Sequence, residues 1–355
     1  MAFITLDRAK LEHNYQFLNQ FFAKRNIEWS IVSKMLCGNY DYVKLLCETG
    51  IKEICDARIS NLRMVKQINP DIQTVYIKPP AKRSIKSIVK YADVSFNTQI
   101  ETIKWLSEEA CAQHVQHKVV IMIEMGDLRE GVMGEEVVNF YSKVFELPNI
   151  EVVSFGTNLN CLHGVMPSHD KLIQLSLYKQ LIEAKFNRNI PYVTGGTSVV
   201  IPLIFNGQLP KGVNHFRVGE TLYFGLNLFT GEIIEGMQGD VIKLYAEVIE
   251  LIVKPKVPMG EMEANPSGDV YQINEEDYGK TAYRAILDLG LLDISPEFLI
   301  PEHSGIEISG ASSDMLVLDL GDESRYKVGD LVPFHLKYMG ALGLMNSNYI
   351  EKKVV

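Results

Sequence analysis

A lysine at position 34 is the residue of this sequence best placed to do covalent chemistry. It ends the mostly apolar run Trp29–Ser33 and precedes Met35 and a glycine-containing turn. This pattern predicts a buried strand that delivers one amine to its C-terminal end. A lysine in such a place can lose its proton and become a nucleophile. The alternative is an ordinary surface lysine where a strand leaves the core.

Two later glycine-containing segments have the composition of a phosphate cradle. Each offers backbone N–H groups and close backbone approach, and the first adds two hydroxyls. The alternative for the first segment is an ordinary loop in which its serine caps a helix. Together with a nucleophilic lysine, a phosphate site predicts pyridoxal phosphate, which such a lysine holds as a Schiff base. The segments are Gly195-Gly196-Thr197-Ser198 and Gly219-Glu220.

Eight short apolar runs must position these residues, and most gaps between them carry an amphipathic helical pattern. Several runs lack clean alternation, which is typical of strands covered on both faces. The pattern predicts a (β/α)8 barrel over residues 8–235, with functional groups at the C-terminal strand ends. The alternative is a doubly wound sheet, but no G-x-G-x-x-G fingerprint follows a strand. The runs are Ile27–Lys34, Lys52–Asp56, Gln73–Ile77, Asp93–Phe96, Lys118–Met125, Glu151–Phe155, Pro191–Thr194 and Asn214–Val218.

The residue pattern of 236–355 differs from that of the predicted barrel, 8–235, and predicts a β-rich second domain. The N-terminal segment 1–7 contains the strand-like Phe3–Leu6, which we expect to join that domain. Proline and glycine mark a loop-rich stretch at Pro255, Pro258, Gly260, Pro266 and Gly268. The predicted strands are Val241–Val253, Tyr283–Leu289, Gly305–Ser309, Met315–Leu320 and Leu331–Leu336.

Composition narrows the class of protein. The chain has 355 residues, a net charge of −9 and five widely spaced cysteines. The acidic balance argues against a nucleic-acid partner. The cysteine pattern favours reduced thiols in a cytoplasmic protein over disulfides or a zinc site. We expect no signal peptide and no membrane association, since no apolar stretch approaches the length of a span.

The motifs taken together resemble the alanine racemase family, in its alanine/ornithine racemase branch. The likeness is firm over the predicted barrel and loose in the β-rich part. It implies a pyridoxal-phosphate barrel followed by a β-domain. The segments that carry it are Ser33-Lys34, Gly126-Asp127-Leu128-Arg129-Glu130-Gly131, Gly195-Gly196-Thr197-Ser198 and Arg217-Val218-Gly219-Glu220-Thr221-Leu222-Tyr223-Phe224-Gly225.

This resemblance also implies roles for individual residues. Lys34 would hold the cofactor and exchange the Cα proton on one face. Arg217 would face the pyridine nitrogen and, because a guanidinium keeps its proton, leave that nitrogen unprotonated. Arg129 would lie near the phenolic oxygen; for both arginines the alternative is a structural ion pair. The phosphate would be bound by Gly196, Thr197, Ser198, Gly219, Glu220 and Tyr338.

The sequence departs from the family pattern at position 122. Met122 stands where many members carry a carbamylated lysine that steadies the arginine beside the cofactor. Glu124 lies two residues on, hence on the same strand face, and is a candidate for that role. The alternatives are that Glu124 contacts Arg129 loosely or faces the substrate.

The second proton-transfer base is also a departure. The family's partner-subunit tyrosine has no counterpart in the matching stretch 285–291, which leaves Asp288 as first candidate and Tyr283 as second. Ser312-Ser313-Asp314 resembles the family's Ser-Met-Asp element, and Ser313 stands where methionine is usual. This substitution predicts a roomier, more polar pocket.

We therefore predict an amino-acid racemase that works as a homodimer with shared active sites. Acids near the pocket suit a distal ammonium, which favours ornithine or lysine over alanine; the alternative is that most of these acids are solvated or capping residues. The acids are Asp56, Asp127, Asp288 and Asp314. The alternative functions are a pyridoxal-phosphate-binding regulator or carrier without catalysis, and a D-amino-acid aldolase or deaminase of the same fold. We expect no metal. We interpret Cys161 and His163 as buried side chains that fill space, and the alternative is a catalytic role.

Overall fold

The chain divides into two compact units in the computed structural model, which describes residues 2–264, 268 and 270–355. The barrel unit is Asp7–Val241. The β unit contains the residues up to Leu6 together with Ile242–Val355. Strand β1 (Phe3–Leu6) belongs to the β unit, and the next eight strands belong to the barrel unit.

The barrel unit contains a closed barrel of eight parallel strands. Consecutive strands are hydrogen-bonded neighbours, and the last strand pairs with the first to close the barrel. This closure confirms the predicted (β/α)8 fold and excludes the doubly wound sheet. The strands are β2 (Glu28–Val32), β3 (Glu53–Asp56), β4 (Gln73–Tyr76), β5 (Val94–Asn97), β6 (His117–Met122), β7 (Ile150–Gly156), β8 (Tyr192–Thr197) and β9 (His215–Val218).

Helices separate the barrel strands along the chain. Three of them begin at a polar N-cap whose side chain accepts a backbone N–H, namely Asp7, Asn39 and Ser168. The helices are α1 (Arg8–Ala23), α2 (Tyr40–Glu48), α3 (Ile59–Ile68), α4 (Ile85–Tyr91), α5 (Ile100–Ala112), α6 (Val137–Val144), α7 (His169–Phe186), α8 (Ile201–Phe205) and α9 (Glu220–Phe224).

Apolar side chains from the barrel strands pack together in a buried cluster. Branched residues dominate it, which is why these strands are apolar without alternation. The cluster includes Val32, Cys55, Val75, Val94, Phe96, Val120, Met122 and Val153. The packed core fixes where each strand ends, and the strand ends carry the polar residues described below.

The β unit contains an eight-stranded sheet in which β1 pairs with the long strand β10 and with the last strand of the chain. Apart from the parallel pairing of β1 with the last strand, every strand pairing in this sheet is antiparallel. The strands after β9 are β10 (Ile242–Pro255), β11 (Thr281–Leu287), β12 (Leu299–Pro301), β13 (Glu307–Ala311), β14 (Leu316–Asp319), β15 (Leu331–Leu336) and β16 (Glu351–Val354), with helix α10 (Tyr338–Asn346) between the last two.

Some elements differ from the sequence-based prediction. Strand β12, helix α10 and strand β16 were not predicted. Met1 and Pro266, which fell within predicted segments, lie outside the described residues.

Candidate active site

A cavity of about 370 Å³ lies at the C-terminal ends of the barrel strands. Every barrel strand, or the loop that follows it, contributes to its wall, as expected for this fold. Four of the described lining residues are cationic and one, Glu130, is acidic. The lining residues are Val32, Lys34, Ala57, Ile77, Lys78, Pro79, Phe96, Arg129, Glu130, Asn158, Cys161, Thr197 and Arg217.

Lys34 lies where the sequence predicted, in the turn that follows β2. The end of that strand is held on both sides, because the hydroxyl of Ser33 donates to the Asp56 carboxylate at 2.7 Å and Tyr223 donates to the carbonyl of Val32 at 3.1 Å. The Lys34 side chain is exposed toward the cavity it lines. A well-held strand end therefore presents an accessible amine to the cavity.

Arg217 lies in β9 and is only 2% exposed. Its guanidinium donates to the hydroxyl of Thr194 at 2.5 Å, the carbonyl of Thr157 at 2.8 Å and the amide oxygen of Asn158 at 3.2 Å. It also lies over the Phe96 ring, 5.0 Å from the ring centroid. Among the described residues no carboxylate contacts it directly, so Arg217 is not one half of a simple ion pair. Burial lowers the pKa of the guanidinium from its ordinary value.

Arg129 forms a two-point ion pair with the neighbouring Glu130. These hydrogen bonds raise the pKa of Arg129 above its ordinary value. Glu130 also accepts a hydrogen bond from the amide of Asn158 at 3.2 Å. Because Asn158 accepts from Arg217, one carboxylate and one amide link the two arginines of the cavity.

Glu124 does not hold Arg129, in contrast to the sequence-based hypothesis. Its carboxylate accepts the backbone N–H groups of Gly126 at 2.5 Å and Leu128 at 3.0 Å. The loop then returns against the strand, where a Cβ on Gly131 would lie 2.2 Å from the backbone nitrogen of Glu124. Glu124 therefore shapes the loop, and Glu130 is the carboxylate beside Arg129.

Ser198 lies directly after β8 and joins the two predicted halves of the phosphate cradle. Its hydroxyl accepts the backbone N–H groups of Gly219 at 3.3 Å and Thr221 at 3.2 Å, at the start of α9. Gly196 has φ of +135°, a conformation that favours glycine. Burial raises the pKa of Glu220, and the charge of Lys34 partly opposes that rise. The backbone N–H groups at the start of α9, the Ser198 hydroxyl and the Lys34 side chain thus lie around one end of the barrel.

Two of the acids considered for substrate binding are used inside the barrel unit. Asp56 is fully buried, and it accepts hydrogen bonds from Ser33, Arg58 and Asn61. Burial raises the pKa of Asp56, and these bonds oppose the rise.

Asp127 organises the loop that follows β7. It is 1% exposed and accepts four backbone N–H groups, from Cys161, Leu162, His163 and Val165. Burial tends to raise the pKa of Asp127, but these donors bring it below its ordinary value. Asp56 and Asp127 are therefore structural, and neither offers a carboxylate to a substrate ammonium.

Cys161 and His163 belong to this same loop and are exposed. His163 is oriented by a 2.8 Å contact between its Nδ1 and the carbonyl of Asp127. The interpretation of both as buried space-fillers is therefore wrong, because the Asp127 loop turns them outward. Cys161 lines the cavity beside Arg129.

The β unit carries the remaining predicted residues. Asp288 follows β11, whereas Tyr283 lies near the start of that strand, roughly 17 Å away at the rise of an extended chain. The backbone N–H groups of Leu291 and Leu292 donate to the carbonyls of Ser312 and Ser313, both at 2.9 Å.

The segment after Asp288 therefore runs beside Ser313 and Asp314, whose side chains are hydrogen-bonded to each other at 2.8 Å. Tyr338 is the first residue of α10. The structure thus groups Asp288 with Ser313 and Asp314 within the β unit and leaves Tyr283 at the other end of its strand.

Sequence reasoning missed Glu130, Asn158, Thr194 and His215 as functional residues. Glu130 had a local signal, since it is the acid directly next to Arg129. His215 also had one, because it lies two residues before Arg217 and so shares its strand face. Asn158 and Thr194 had none beyond their positions near strand ends.

Two searches of the described residues were negative. We find no group of three His, Cys, Asp or Glu side chains able to hold a metal ion. In the same part of the chain, no helix combines the length and apolar character needed to span a membrane.

The fold and the cavity define an α/β barrel protein with a cationic site, an accessible lysine and an appended β unit. Residues 6–227 match the family model described as alanine racemase, N-terminal domain. The ornithine racemase of Acetoanaerobium sticklandii is 35% identical over 354 residues, which cover 99% of both chains. The lysine racemase of Thermotoga maritima is 29% identical over 349 residues, which cover 98% of this chain and 97% of that one.

Solved structures agree on the fold. Alanine racemase from Bartonella henselae with covalently bound pyridoxal phosphate superposes with a TM-score of 0.75 at 15% identity, covering 100% of this chain and 99% of that one. D-threonine aldolase from Filomicrobium marinum gives 0.72 at 13% identity, covering 99% and 91%. The chain belongs to the alanine racemase family, in its ornithine racemase branch, as its motifs predicted.

Proposed function

We propose that this chain is a pyridoxal-phosphate-dependent racemase of ornithine or lysine that moves the Cα proton between two bases. The observation that carries the proposal is the common cavity of Lys34, Arg129 and Arg217 at the C-terminal ends of the barrel strands. Three cations at one end of the barrel suit an anionic cofactor that a lysine holds covalently. Full-length similarity to an ornithine racemase and a lysine racemase supports the same assignment.

The residues present fit pyridoxal phosphate. Ser198 supplies a hydroxyl suited to a phosphate. Its oxygen accepts the N–H groups of Gly219 and Thr221 and so joins the end of β8 to the start of α9. Arg217 supplies a buried donor that is oriented by three hydrogen bonds. When bound, the cofactor withdraws electrons from Cα of the attached amino acid and so makes its proton acidic. The residues that would hold it are Lys34, Arg129, Gly196, Thr197, Ser198, Arg217, Gly219, Glu220 and Tyr338.

The protein's own groups then divide the work. Lys34 would take or return the Cα proton through Nζ on one face. Asp288 is our first candidate for the other face, because it lies beside the Ser313–Asp314 segment, and Tyr283 is the second. Arg217 keeps its proton and would limit the ring to a weak electron sink, which restricts the chemistry at Cα to proton exchange.

The substrate assignment rests on the β unit. Asp56 and Asp127 accept internal hydrogen bonds. Because Asp288 is assigned to proton transfer, Asp314 is the acid that we propose for the distal ammonium. Asp314 is exposed beside Ser313, whose side chain is short and polar. A pocket of this composition suits a chain ending in an ammonium better than a methyl group.

Assembly and location are part of the proposal. We expect a homodimer in which the β unit of one subunit completes the barrel site of the other. We also expect a cytoplasmic protein, because none of the five cysteines, all of them among the described residues, forms a disulfide.

Covalent trapping at Lys34 tests the proposal directly. Purified protein given pyridoxal phosphate and then borohydride is expected to carry the cofactor on Lys34, located by peptide mass spectrometry. Lys34→Ala should lose this adduct and the visible absorption of the bound cofactor. Lys78→Ala, which removes another lysine of the same cavity, should keep both. An adduct absent from the unaltered protein would refute the proposed function.

Isotope exchange separates racemisation from the alternatives. In heavy water, D- and L-ornithine or D- and L-lysine should each gain deuterium at Cα, while alanine should react more slowly. A panel of single amino acids measures this preference. Cofactor binding without exchange would instead indicate a carrier or regulator, and cleavage of a β-hydroxy amino acid would indicate an aldolase.

A further inference from the structure

A chain of hydrogen bonds runs inside the barrel from Arg217 to the opposite, N-terminal end of the strands. Arg217 donates to the hydroxyl of Thr194 at 2.5 Å. That hydroxyl lies 3.0 Å from Nδ1 of His215, whose Nε2 lies 3.1 Å from a carboxylate oxygen of Glu53. His215 is the first residue of β9 and Glu53 the first of β3, so the chain links the cavity to the strand starts.

Burial makes this chain energetically important. Thr194 and Arg217 are 1% and 2% exposed, and the side chains of His215 and Glu53 are 12% and 17% exposed. A buried charge is costly unless it is compensated. Glu130 reaches Arg217 only through an amide, and no carboxylate among the described residues contacts it directly. Glu53 is therefore available as a second, indirect counter-charge.

The chemistry of the two ends fixes the direction of the bonds at those ends, and the direction of the bond between Thr194 and His215 depends on the protonation of the imidazole. A guanidinium can only donate and a carboxylate can only accept. With a neutral imidazole, each group then donates in the same direction: Arg217 to Thr194, Thr194 to Nδ1 of His215, and Nε2–H of His215 to Glu53. Bonds aligned in one direction polarise and strengthen one another in a buried setting.

We propose that Glu53 is the distal electrostatic partner of Arg217, and that Thr194 and a neutral His215 transmit its charge and position the guanidinium. These are positioning residues, since none of the three lines the cavity. The consequence for a bound cofactor rests on the proposed function, but the direction of these hydrogen bonds does not.

Nitrogen-15 NMR of His215 tests the direction of the hydrogen bonds without any cofactor. The expected signal is that of a neutral ring protonated at Nε2, assigned by its absence in His215→Gln. An imidazolium, or a ring protonated at Nδ1, would overturn the proposed direction of the chain. The measurement decides the direction of the hydrogen bonds even if the protein binds no pyridoxal phosphate.

Cofactor affinity tests the positioning. Thr194→Val keeps the shape and removes the hydroxyl, so the dissociation constant of pyridoxal phosphate should rise about tenfold and kcat should fall by about as much, with KM nearly unchanged. Thr194→Ser should keep the dissociation constant, kcat and KM within about twofold of the unaltered protein, and Glu53→Gln should weaken affinity in the same direction as Thr194→Val. Tyr192→Phe, which removes a hydrogen bond to Glu28 at the same barrel end, is the matched control and should match the unaltered protein.

A double-mutant cycle shows whether the residues act as one chain. If they do, Glu53→Gln should add little once Thr194→Val has broken the link, so the two effects on the dissociation constant should not multiply. Multiplying effects, or a Thr194→Val protein with unaltered affinity, would overturn the proposal. If Thr194→Val does not fold, His215→Gln replaces it in the cycle, with the melting temperature as the folding control.

Discussion

The two arginines of the cavity are held in different ways. Arg129 has a carboxylate on its own loop, while Arg217 is held by a hydroxyl, a carbonyl and an amide. Glu130 connects the two sets through Asn158. A change at Glu130 should therefore affect both arginines without altering the lysine that holds the cofactor.

Replacement of Glu130 by glutamine should lower kcat/KM by about tenfold, because Arg129 loses its charge partner while the side-chain shape is kept. Steady-state racemisation kinetics measure this change, and the adduct on Lys34 should still form. Glu135→Gln, at an exposed position on the same segment, is the matched control. Equal activity of the two variants would show that Glu130 does not organise the site.

The assignments of Asp288 and of Tyr283 as the second base predict opposite results for substitutions at these two positions. If Asp288 serves one face of Cα, Asp288→Asn should lower racemisation by at least about a hundredfold. One enantiomer should nevertheless keep its Cα exchange with solvent through Lys34. Tyr283→Phe should retain activity within about twofold. Single-enantiomer deuterium exchange measures both, and loss of racemisation in Tyr283→Phe alone would reverse the assignment.

At the scale of elements, several barrel strands begin with a polar residue that is partly or fully buried. Glu53, Gln73 and His215 lie at strand starts, and His117 begins β6. His117 is 2% exposed and contacts the Ser95 hydroxyl at 2.8 Å through Nε2. Burial lowers the pKa of His117 to about 4, and the charge of Asp93 offsets this only in part.

This depressed pKa makes the stability of the barrel depend on pH. As the pH falls from about 6.5 to about 4, the unfolded chain binds a proton at His117 that the folded protein does not. The free energy of unfolding should therefore drop by roughly 3 kcal/mol over that window, with no further His117 contribution below it. Urea unfolding at several pH values measures the drop.

The variant His117→Gln should show a smaller loss of stability across the same window, because the titrating ring is gone while a group able to hydrogen-bond Ser95 remains. His114→Asn, at an exposed position with φ of 56°, should keep the full loss. A pH dependence identical in His117→Gln and the unaltered protein would contradict the prediction.

At the scale of the whole molecule, the proposed site requires two copies of the chain. The second half of β10 exposes aliphatic side chains that a monomer would leave in water, namely Ile249, Ile252 and Val253, at 45%, 49% and 49%. Exposed apolar side chains grouped on one strand are typical of an interaction surface. We therefore expect the β unit to contribute this part of the dimer interface.

Sedimentation analysis should show a dimer for the unaltered protein and a monomer with little activity for Ile252→Glu, because the charge would be buried in the interface. Leu177→Glu, on α7 and 55% exposed, should remain dimeric and active. A fully active Ile252→Glu monomer would contradict the shared site.

Predictions from the sequence succeeded where the signal was local. Each barrel strand was an apolar run bounded by polar residues, and Lys34 and Arg217 lie at strand ends where such runs place them. Predictions failed where the signal was weak. Helix α10 contains Gly340 and Gly343, which have low helix propensity, and β16 contains two lysines among its four residues.

Local sequence was thus sufficient for the barrel, its lysine and its family, because strand periodicity and strand-end chemistry depend on near neighbours along the chain. The partners of those residues depended on folding. Whether Glu124 or Glu130 holds Arg129 is set by how a loop returns on its strand. The alignment of Thr194 with His215 is set by the register between β8 and β9, which no stretch of sequence specifies alone.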